Sequence, residues 1–213
     1  MIPMPAADPP RPTAARLRRE ALRDRLIDIA ERRIAANGLA ALRARDLAQE
    51  AGCALGAIYT AVGDLDELVL AVNARTFARL GEHVSAATPA DLRPAGNAPV
   101  ERLIVMAQAY HAFAAADRNL WRALFDIDRA PGTAAPDWYL AEMQRLFALI
   151  AAPLDDLRPD MPPEDRALLA RALFSAVHGI VWLALDEASA GIPEAQVDRM
   201  IALILRNLAG GPQ

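Results

Sequence analysis

Lysine is absent from this chain of 213 residues, and all 23 of its basic side chains are arginines. Cysteine is nearly absent: the single residue Cys53 excludes an internal disulfide framework and any metal site built from cysteines alone. No run of eighteen residues is free of charge, so the sequence indicates neither a membrane-spanning helix nor an apolar secretion signal. We therefore expect a cytoplasmic protein that does not bind membranes.

The two parts of the chain differ in charge, although the whole carries only −4. Residues 1–62 contain ten arginines and seven acidic residues, a net charge of +3. Residues 63–213 contain thirteen arginines and twenty acidic residues, a net charge of −7. A basic segment attached to an acidic body is typical of a protein in which only that segment approaches phosphates.

Glycine and proline divide the first part of the chain into short segments. Five prolines fall within the first 12 residues, which predicts a disordered arm over residues 1–13. Apolar residues at helical spacing then predict three helices, at Ala14–Ala36, Arg43–Glu50 and Leu55–Ala61. Glycines at positions 38 and 52 follow the first two helices. The sequence therefore predicts a three-helix domain over residues 14–63.

The pattern of residues 64–213 predicts a second helical domain. Asp64 is placed to cap a long helix that runs to about His83, and prolines between Ala86 and Pro99 indicate a linker. Five more helices are predicted, at Val100–Ala116, Arg118–Asp128, Asp137–Leu154, Glu164–Ala190 and Glu194–Leu208. No segment alternates apolar and polar residues as a strand would, so we predict an all-α fold of about nine helices.

Residues 43–62 have the pattern of a helix-turn-helix, with two short helices around a glycine-containing turn and a longer helix before them. The second helix of such a motif enters a DNA major groove about 12 Å wide, which favours small side chains there. Hydroxyl groups and arginines at these positions suit contacts with DNA phosphates. The predicted DNA-binding residues are Arg43, Arg45, Ala54, Leu55, Gly56, Ala57, Tyr59 and Thr60.

In this order and spacing, these motifs resemble the TetR family of bacterial transcription regulators. The resemblance covers roughly residues 20–80 and rests on Asn37-Gly38-Leu39, Asp46-Leu47-Ala48, Ala51-Gly52, Gly56-Ala57-Ile58-Tyr59 and Asp66-Glu67-Leu68-Val69. It implies that Tyr59 contacts a phosphate and that its helix reads bases. It also implies a homodimer formed through the last two helices, and a small-molecule effector that changes the spacing of the two DNA-binding heads.

The sequence departs from the family pattern at several positions that commonly contact DNA. Ala61 and Val62 replace an aromatic or histidine residue and a phenylalanine, and Leu65 replaces a lysine. The arginine-rich stretch from Arg11 to Arg25 can restore affinity by reaching the DNA backbone or minor groove. The alternative is that these arginines form a solvated helix face.

The second domain resembles the WHG type of TetR C-terminal domain, with Phe174 at the position of its tryptophan, four residues before His178-Gly179. Aromatic residues with few polar groups between them are what a small-ligand pocket needs. The predicted ligand-binding residues are Tyr110, Trp121, Phe125, Trp138, Phe174, His178 and Trp182. The alternative is that each of them packs in an ordinary core, with the His178 nitrogens satisfied there.

The function predicted from the sequence is a DNA-binding transcription regulator, and specifically a ligand-responsive repressor. A two-fold dimer predicts a near-palindromic operator in double-stranded DNA. The alternative function is a helical ligand-binding or protein-interaction module with weakened DNA binding. No phosphate loop, nucleophile elbow or metal-ligand spacing is present, so neither an enzyme, a cofactor nor a metal site is predicted. Cys53 is expected to be structural rather than redox-active.

Overall fold

The computed structural model describes residues 13–88, 98–126, 134–186 and 192–209. In these ranges the chain forms nine α-helices, one short 3-10 helix and no β-strand, which confirms the predicted all-α fold. The helices are α1 (Ala14–Asn37), α2 (Ala44–Ala51), α3 (Leu55–Val62), α4 (Leu65–Ala87), α5 (Ala98–Ala116), α6 (Arg118–Ala123), α7 (Asp137–Leu157), α8 (Pro163–Leu185) and α9 (Glu194–Ala209). They form two compact units, residues 1–72 and 73–213, and the division falls inside α4.

The core of the first unit lies where α1, α2 and α3 meet. Leu26 and Ile34 of α1, Leu47 of α2 and Ile58 of α3 are fully buried, and all three helix pairs are in contact. Along each helix, buried residues recur at a spacing of three or four positions, so one face of the helix is apolar. Burying these faces against one another holds three short helices that would not be stable alone.

Two glycines allow the sharp turns between these helices. Gly38 after α1 and Gly52 after α2 have φ angles of 77° and 65°, a region that residues with a Cβ avoid. The Gly52 N–H donates to carbonyls of the last turn of α2, as expected of a helix C-cap. The 3-10 helix Leu39–Ala41 follows Gly38. It was not predicted, because a single tight turn carries no hydrophobic period.

The second unit is built around α5, which contacts α6, α7, α8 and α9. Because neighbours surround it, α5 buries ten of its residues, far more than an amphipathic surface helix would. The fully buried Asn73 of α4 donates through Nδ2 to the Ala123 carbonyl at the end of α6, at 2.8 Å. Gly81 of α4 lies so close to α7 that an added Cβ would be 3.2 Å from Leu146. These contacts fix α4 against α6 and α7.

Several helices of the second unit have other bounds than predicted. The predicted helix Glu164–Ala190 ends as α8 at Leu185, because the backbone of Asp186 is extended. The fourth helix runs beyond His83 to Ala87, within the range predicted as linker. Residues Leu124 and Phe125 donate to carbonyls three positions back, so α6 tightens and ends at Ala123. By contrast, α7 continues past Pro153 to Leu157, because Pro153 is buried and its packing offsets the missing hydrogen bond.

Some predicted segments lie outside the described residues. These are residues 1–12 of the predicted arm, residues 89–97 of the predicted linker, and residues 127–128 and 187–190 at the ends of two predicted helices. Thr13, the last residue of the predicted arm, is described: it is the N-cap of α1, and its hydroxyl oxygen accepts from the backbone N–H of Arg16 at 3.3 Å.

The helix α8 is, by length and composition, the only described helix that could cross a membrane. A core helix of a soluble protein meets the same conditions. Within this chain, however, only 22% of its most apolar stretch is buried. Its covered face carries Ala170, Leu173, Val177 and Val181, whereas Leu168 and Leu183 on the opposite side are exposed. The chain alone therefore covers one side of α8.

Candidate DNA interface and ligand cavity

In the first unit, α3 presents one face to the core and the other to the outside. Ile58 and Val62 are buried and anchor the helix, whereas Leu55 and Tyr59 are 42% and 47% exposed. Gly56 and Thr60 are exposed on the same side. Nearly half of each of these two side chains stays open to solvent in the described chain, so this face is available to an external partner.

The start of α3 leaves backbone donors free. Its N-cap residue, Ala54, has no side chain that could cap the helix. The first N–H groups of a helix point outward without an intrahelical partner and carry a partial positive charge. The Thr60 hydroxyl donates to the Gly56 carbonyl at 3.1 Å, so its remaining capacity is to accept. Together these groups can bind a phosphate oxygen at one end and a hydrogen-bond donor at the other.

The two predicted arginines of the helix-turn-helix differ in their surroundings. Arg43, the N-cap residue of α2, donates through one guanidinium nitrogen to the carbonyls of Ala40 and Leu42, at 2.5 and 3.0 Å. Arg45 lies in the first turn of α2 and is exposed. In this conformation Arg43 holds the turn before α2, and Arg45 has the freer guanidinium.

Ion pairs fix the first two helices relative to each other. Arg33 of α1 bridges Asp46 and Glu50 of α2, with nitrogen–oxygen distances of 3.4 and 2.8 Å. Arg32 adds a second contact to Glu50 at 3.0 Å. Hydrogen bonds from Arg33 and Arg32 lower the pKa of Glu50, which therefore stays ionised at neutral pH. These exposed pairs contribute little stability, but they orient α2, from which α3 follows.

In the second unit a cavity of about 190 Å³ opens between α4, α5, α7 and α8. Its wall consists almost wholly of aliphatic and aromatic side chains. The lining residues are Phe77, Leu80, Val84, Leu103, Met106, Ala107, Tyr110, Leu124, Phe125, Met143, Leu146, Phe147, Leu149, Ile150, Leu173, Phe174, Val177 and Leu205. Apolar cavities of this kind bind small molecules by burying their hydrocarbon surface.

The predicted ligand-binding residues fall into three groups. Tyr110, Phe125 and Phe174 line the cavity. Trp121, His178 and Trp182 do not line it but pack beside it, where the Trp121 ring lies 5.3 Å from the His178 ring and 5.6 Å from the Trp182 ring. Trp138 is 44% exposed and does not line the cavity.

Most of the wall was not singled out in the sequence. The helices α4 and α7 supply Phe77, Leu80, Met143, Leu146 and Ile150, among others. On α7, the apolar residues 143, 146, 147 and 150 follow the three- and four-residue spacing of one helix face, a signal that could have been used. Nothing in the sequence indicates that this face and α4 enclose the same space.

A hydrogen-bonded chain of three aromatic side chains lies at one end of the cavity. The Trp121 Nε1–H donates to the Tyr110 hydroxyl oxygen at 2.8 Å, and that hydroxyl lies 2.8 Å from Nδ1 of His178. Burial raises the pKa of Tyr110 and lowers the pKa of His178, so both are neutral at pH 7. The Tyr110 hydroxyl can therefore donate to Nδ1 while it accepts from Trp121.

A family model described as the tetracyclin repressor-like C-terminal domain matches residues 103–208. This match includes α6–α8, most of α5 and nearly all of α9, and with them most of the cavity wall. No curated protein matches the sequence at a significant level. The finer resemblance to the WHG type stays a prediction.

Solved structures share the fold along nearly the whole chain. A protein of unknown function from Rhodococcus sp. RHA1 is 26% identical, with a TM-score of 0.68, over 89% of this chain and 94% of its own. A tetR-family transcriptional regulator from Streptomyces coelicolor is 18% identical, with a TM-score of 0.63, over 89% and 80%. RolR in complex with resorcinol is 19% identical, with a TM-score of 0.62, over 92% and 96%. By its fold and its C-terminal domain, the chain belongs to the TetR family of transcriptional regulators.

Proposed function

We propose that this regulator is a cytoplasmic, homodimeric repressor that binds a near-palindromic site in double-stranded DNA and releases it when a small molecule binds. The observation that carries the DNA-binding part is the exposed face of α3. Leu55 and Tyr59 on this face are nearly half exposed in the described chain, and Gly56 keeps the face narrow. Such a face can contact thymine methyl groups and phosphates in the major groove.

The first half of α1 supports a longer contact with DNA. Arg19 and Arg23 are exposed, four residues apart, and precede the buried Leu26 and Ala30 by three to eleven positions on the same helix face. Neither arginine makes an ion pair within the described part of the chain. This face of α1 is thus apolar at Leu26 and Ala30, which are buried in the core, and basic at Arg19 and Arg23, which are exposed. An exposed basic face suits the binding of a polyanion. We propose that it binds phosphates next to the site of α3.

The exposed side of α8 supports the homodimer. Leu168, Ala172, Ser175, Gly179 and Leu183 lie on one face of this helix, opposite its covered face. No atom lies within 4 Å of a Cβ added at Gly179, so nothing in the described chain fills the space over this face. On α9, Leu203 is 65% exposed. We propose that a second copy covers both helices and buries these leucines.

The cavity supports the response to a small molecule. Its wall includes Phe77, Leu80 and Val84 of α4, the helix that begins in the first unit directly after α3. A molecule in the cavity therefore contacts the helix that leaves the DNA-binding unit, as a regulator needs. RolR, which has a similar fold, was crystallised with resorcinol.

The test of DNA binding is selection of bound sequences from a random pool of duplex DNA. We expect enrichment of a two-fold symmetric sequence, with half-sites about 34–36 Å apart or somewhat more. Tyr59→Phe and Arg45→Ala should each weaken binding to the selected site, whereas Arg145→Ala on α7 should not. Failure to bind any duplex at low salt overturns the proposal.

The alternative is a helical ligand-binding or interaction module with weak DNA affinity. Arg43 supports it, since its guanidinium is engaged by carbonyls of the same chain, and Ala61 and Leu65 offer no polar group to a phosphate. Affinity for random duplex DNA at low salt separates the two candidates. A repressor binds tightly with a steep salt dependence, whereas the module binds only weakly.

A further inference from the structure

The chemistry of the cavity wall restricts what can bind there. Of its eighteen lining residues none is charged, and only Tyr110 carries a side-chain oxygen or nitrogen. An ionised carboxylate or ammonium group moved from water into such a wall would meet neither an opposite charge nor a set of hydrogen-bond partners. Burying a charge in this way is strongly unfavourable. The wall therefore selects against charged molecules.

The one polar group of the wall is already engaged. The Tyr110 hydroxyl accepts from Trp121 and lies at hydrogen-bond distance from His178, both at 2.8 Å. One hydroxyl has a single hydrogen and two lone pairs, so it can accept one more hydrogen bond from a ligand. A ligand can thus bind without any hydrogen bond, or with one from a neutral hydroxyl group.

A cation near the cavity is turned to solvent. The Arg171 guanidinium lies 5.9 Å from the centroid of the Phe147 ring, which lines the cavity. Arg171 itself is exposed and is not a lining residue. Water therefore solvates its charge, and the aromatic ring separates it from the interior. It does not offer an ion pair to a molecule inside.

The size of the cavity suits a small molecule of one or two rings. An apolar cavity of about 150 Å³ is sufficient to bind benzene, and this one measures about 190 Å³. Four phenylalanines, Phe77, Phe125, Phe147 and Phe174, contribute to the wall. Aromatic walls favour flat or alicyclic hydrocarbon surfaces that they can contact edge-on or face-on.

We infer that the effector is an uncharged, hydrocarbon-rich molecule of one or two rings. The role of effector rests on the proposed function, but the class of molecule follows from the cavity wall alone. Binding buries the hydrocarbon surface against α4, α5, α7 and α8 and leaves the Trp121–Tyr110–His178 chain intact. Polar substituents on the molecule are limited to a neutral hydroxyl.

Three probes of nearly the same shape test this inference on the full chain: naphthalene, 2-naphthol and 2-naphthoate. By calorimetry at neutral pH we expect naphthalene and 2-naphthol to bind within about tenfold of each other. Binding of 2-naphthoate should be at least about 100-fold weaker, because its carboxylate must be desolvated. Equal or tighter binding of 2-naphthoate overturns the inference.

Two variants place the binding in the cavity. Met143→Trp on α7 and Ala107→Leu on α5 fill it from different sides, and each should weaken naphthalene binding at least about tenfold. Gln144→Trp adds the same bulk at the exposed neighbouring position and should leave binding unchanged. If naphthalene binds both filled variants as tightly as the natural chain, the inference is wrong.

A parallel measurement of DNA release separates this inference from the proposed function. If naphthalene binds but the selected DNA stays bound, the ligand class holds and the ligand-responsive part of the function fails. If the protein binds DNA but binds none of the three probes, the ligand class fails and the DNA-binding part of the function stands.

Discussion

At the scale of single residues, Gly56 has no role in the fold of this chain. It lies in the first turn of α3, where no atom comes within 4 Å of an added Cβ, and its φ angle is not positive. Glycine in a helix costs about 1 kcal/mol relative to alanine. Gly56 therefore destabilises α3, although nothing in the described chain requires a glycine there. This combination indicates that another molecule approaches the backbone closely at Gly56.

Gly56→Ala should therefore separate stability from DNA binding. We expect the free energy of unfolding, measured in urea, to rise by about 0.5–1 kcal/mol. Affinity for the selected DNA, measured by fluorescence anisotropy, should fall about tenfold as the methyl group meets the DNA backbone. Because stability rises, misfolding would not explain the weaker binding. Unchanged DNA affinity would show that the backbone at this position does not approach DNA.

His178 makes the stability of the second unit depend on pH. Burial lowers its pKa below 6.5, the value in the unfolded chain. Between those two pKa values the unfolded chain binds more protons, so stability falls as the pH drops below about 6.5 and levels off below the folded-state pKa. Protonation would also place a hydrogen on Nδ1, where the Tyr110 hydroxyl now lies.

Replacing His178 with glutamine should remove the contribution of this residue to the pH dependence of stability. The slope of unfolding free energy against pH, measured between pH 7 and 5, is proportional to the difference in bound protons between the unfolded and folded chain. It should decrease by an amount that corresponds to at most about one proton. The control Gln144→Ala alters an exposed residue that has no ionisable group and should leave the slope unchanged. Identical slopes for His178→Gln and the natural chain would contradict the prediction.

At the scale of elements, the first half of α1 offers a test of the basic helix face. The double variant Arg19→Ala, Arg23→Ala should weaken binding to all duplex sequences alike, since phosphate contacts carry no sequence information. The slope of log K against log salt should become shallower by about 0.9 for each phosphate that the variant no longer neutralises. Arg145→Ala, which removes an exposed arginine from the second unit, is the matched control. An unchanged slope would mean that Arg19 and Arg23 face only solvent.

Helix positions were predictable from the sequence because apolar spacing and glycine stops are local signals. The starts of α1, α3 and α7 agree with the prediction. The continuation of α7 through Pro153 could not be predicted, because it depends on tertiary packing that offsets a local penalty. Likewise, α6 ends at Ala123 instead of the predicted Asp128, because hydrogen bonds to carbonyls three positions back tighten its last turn.

The candidate ligand cavity was only partly predictable. Aromatic content identified Tyr110, Phe125 and Phe174 in the wall, but it also selected Trp138, which lies at the surface. The aliphatic wall from α4 and α7 was missed, because helical spacing shows which side of a helix is apolar and not which other helix faces it. The contact at Gly81, which brings these two helices together, is a property of the fold.

At the scale of the whole molecule, the proposed dimer depends on the exposed leucines of α8 and α9. The Leu203 side chain of α9 is 65% exposed in the single chain and becomes buried in the proposed dimer. Leu203→Glu therefore places a charge in the proposed interface. We expect the dimer dissociation constant, measured by sedimentation equilibrium, to rise at least about 100-fold. Leu140→Glu, at an exposed position of α7, should leave it unchanged. If Leu203→Glu remains fully dimeric, another surface forms the dimer.

The position of Trp121 has a practical consequence. This indole is fully shielded from water, and its ring lies 5.6 Å from Phe125, a cavity-lining residue. Its emission reports on its immediate surroundings, so filling of the adjacent space should alter its intensity or wavelength. With Trp138 and Trp182 replaced by phenylalanine, the chain would have one tryptophan, next to the cavity. Candidate compounds could then be screened optically, without any label and without DNA.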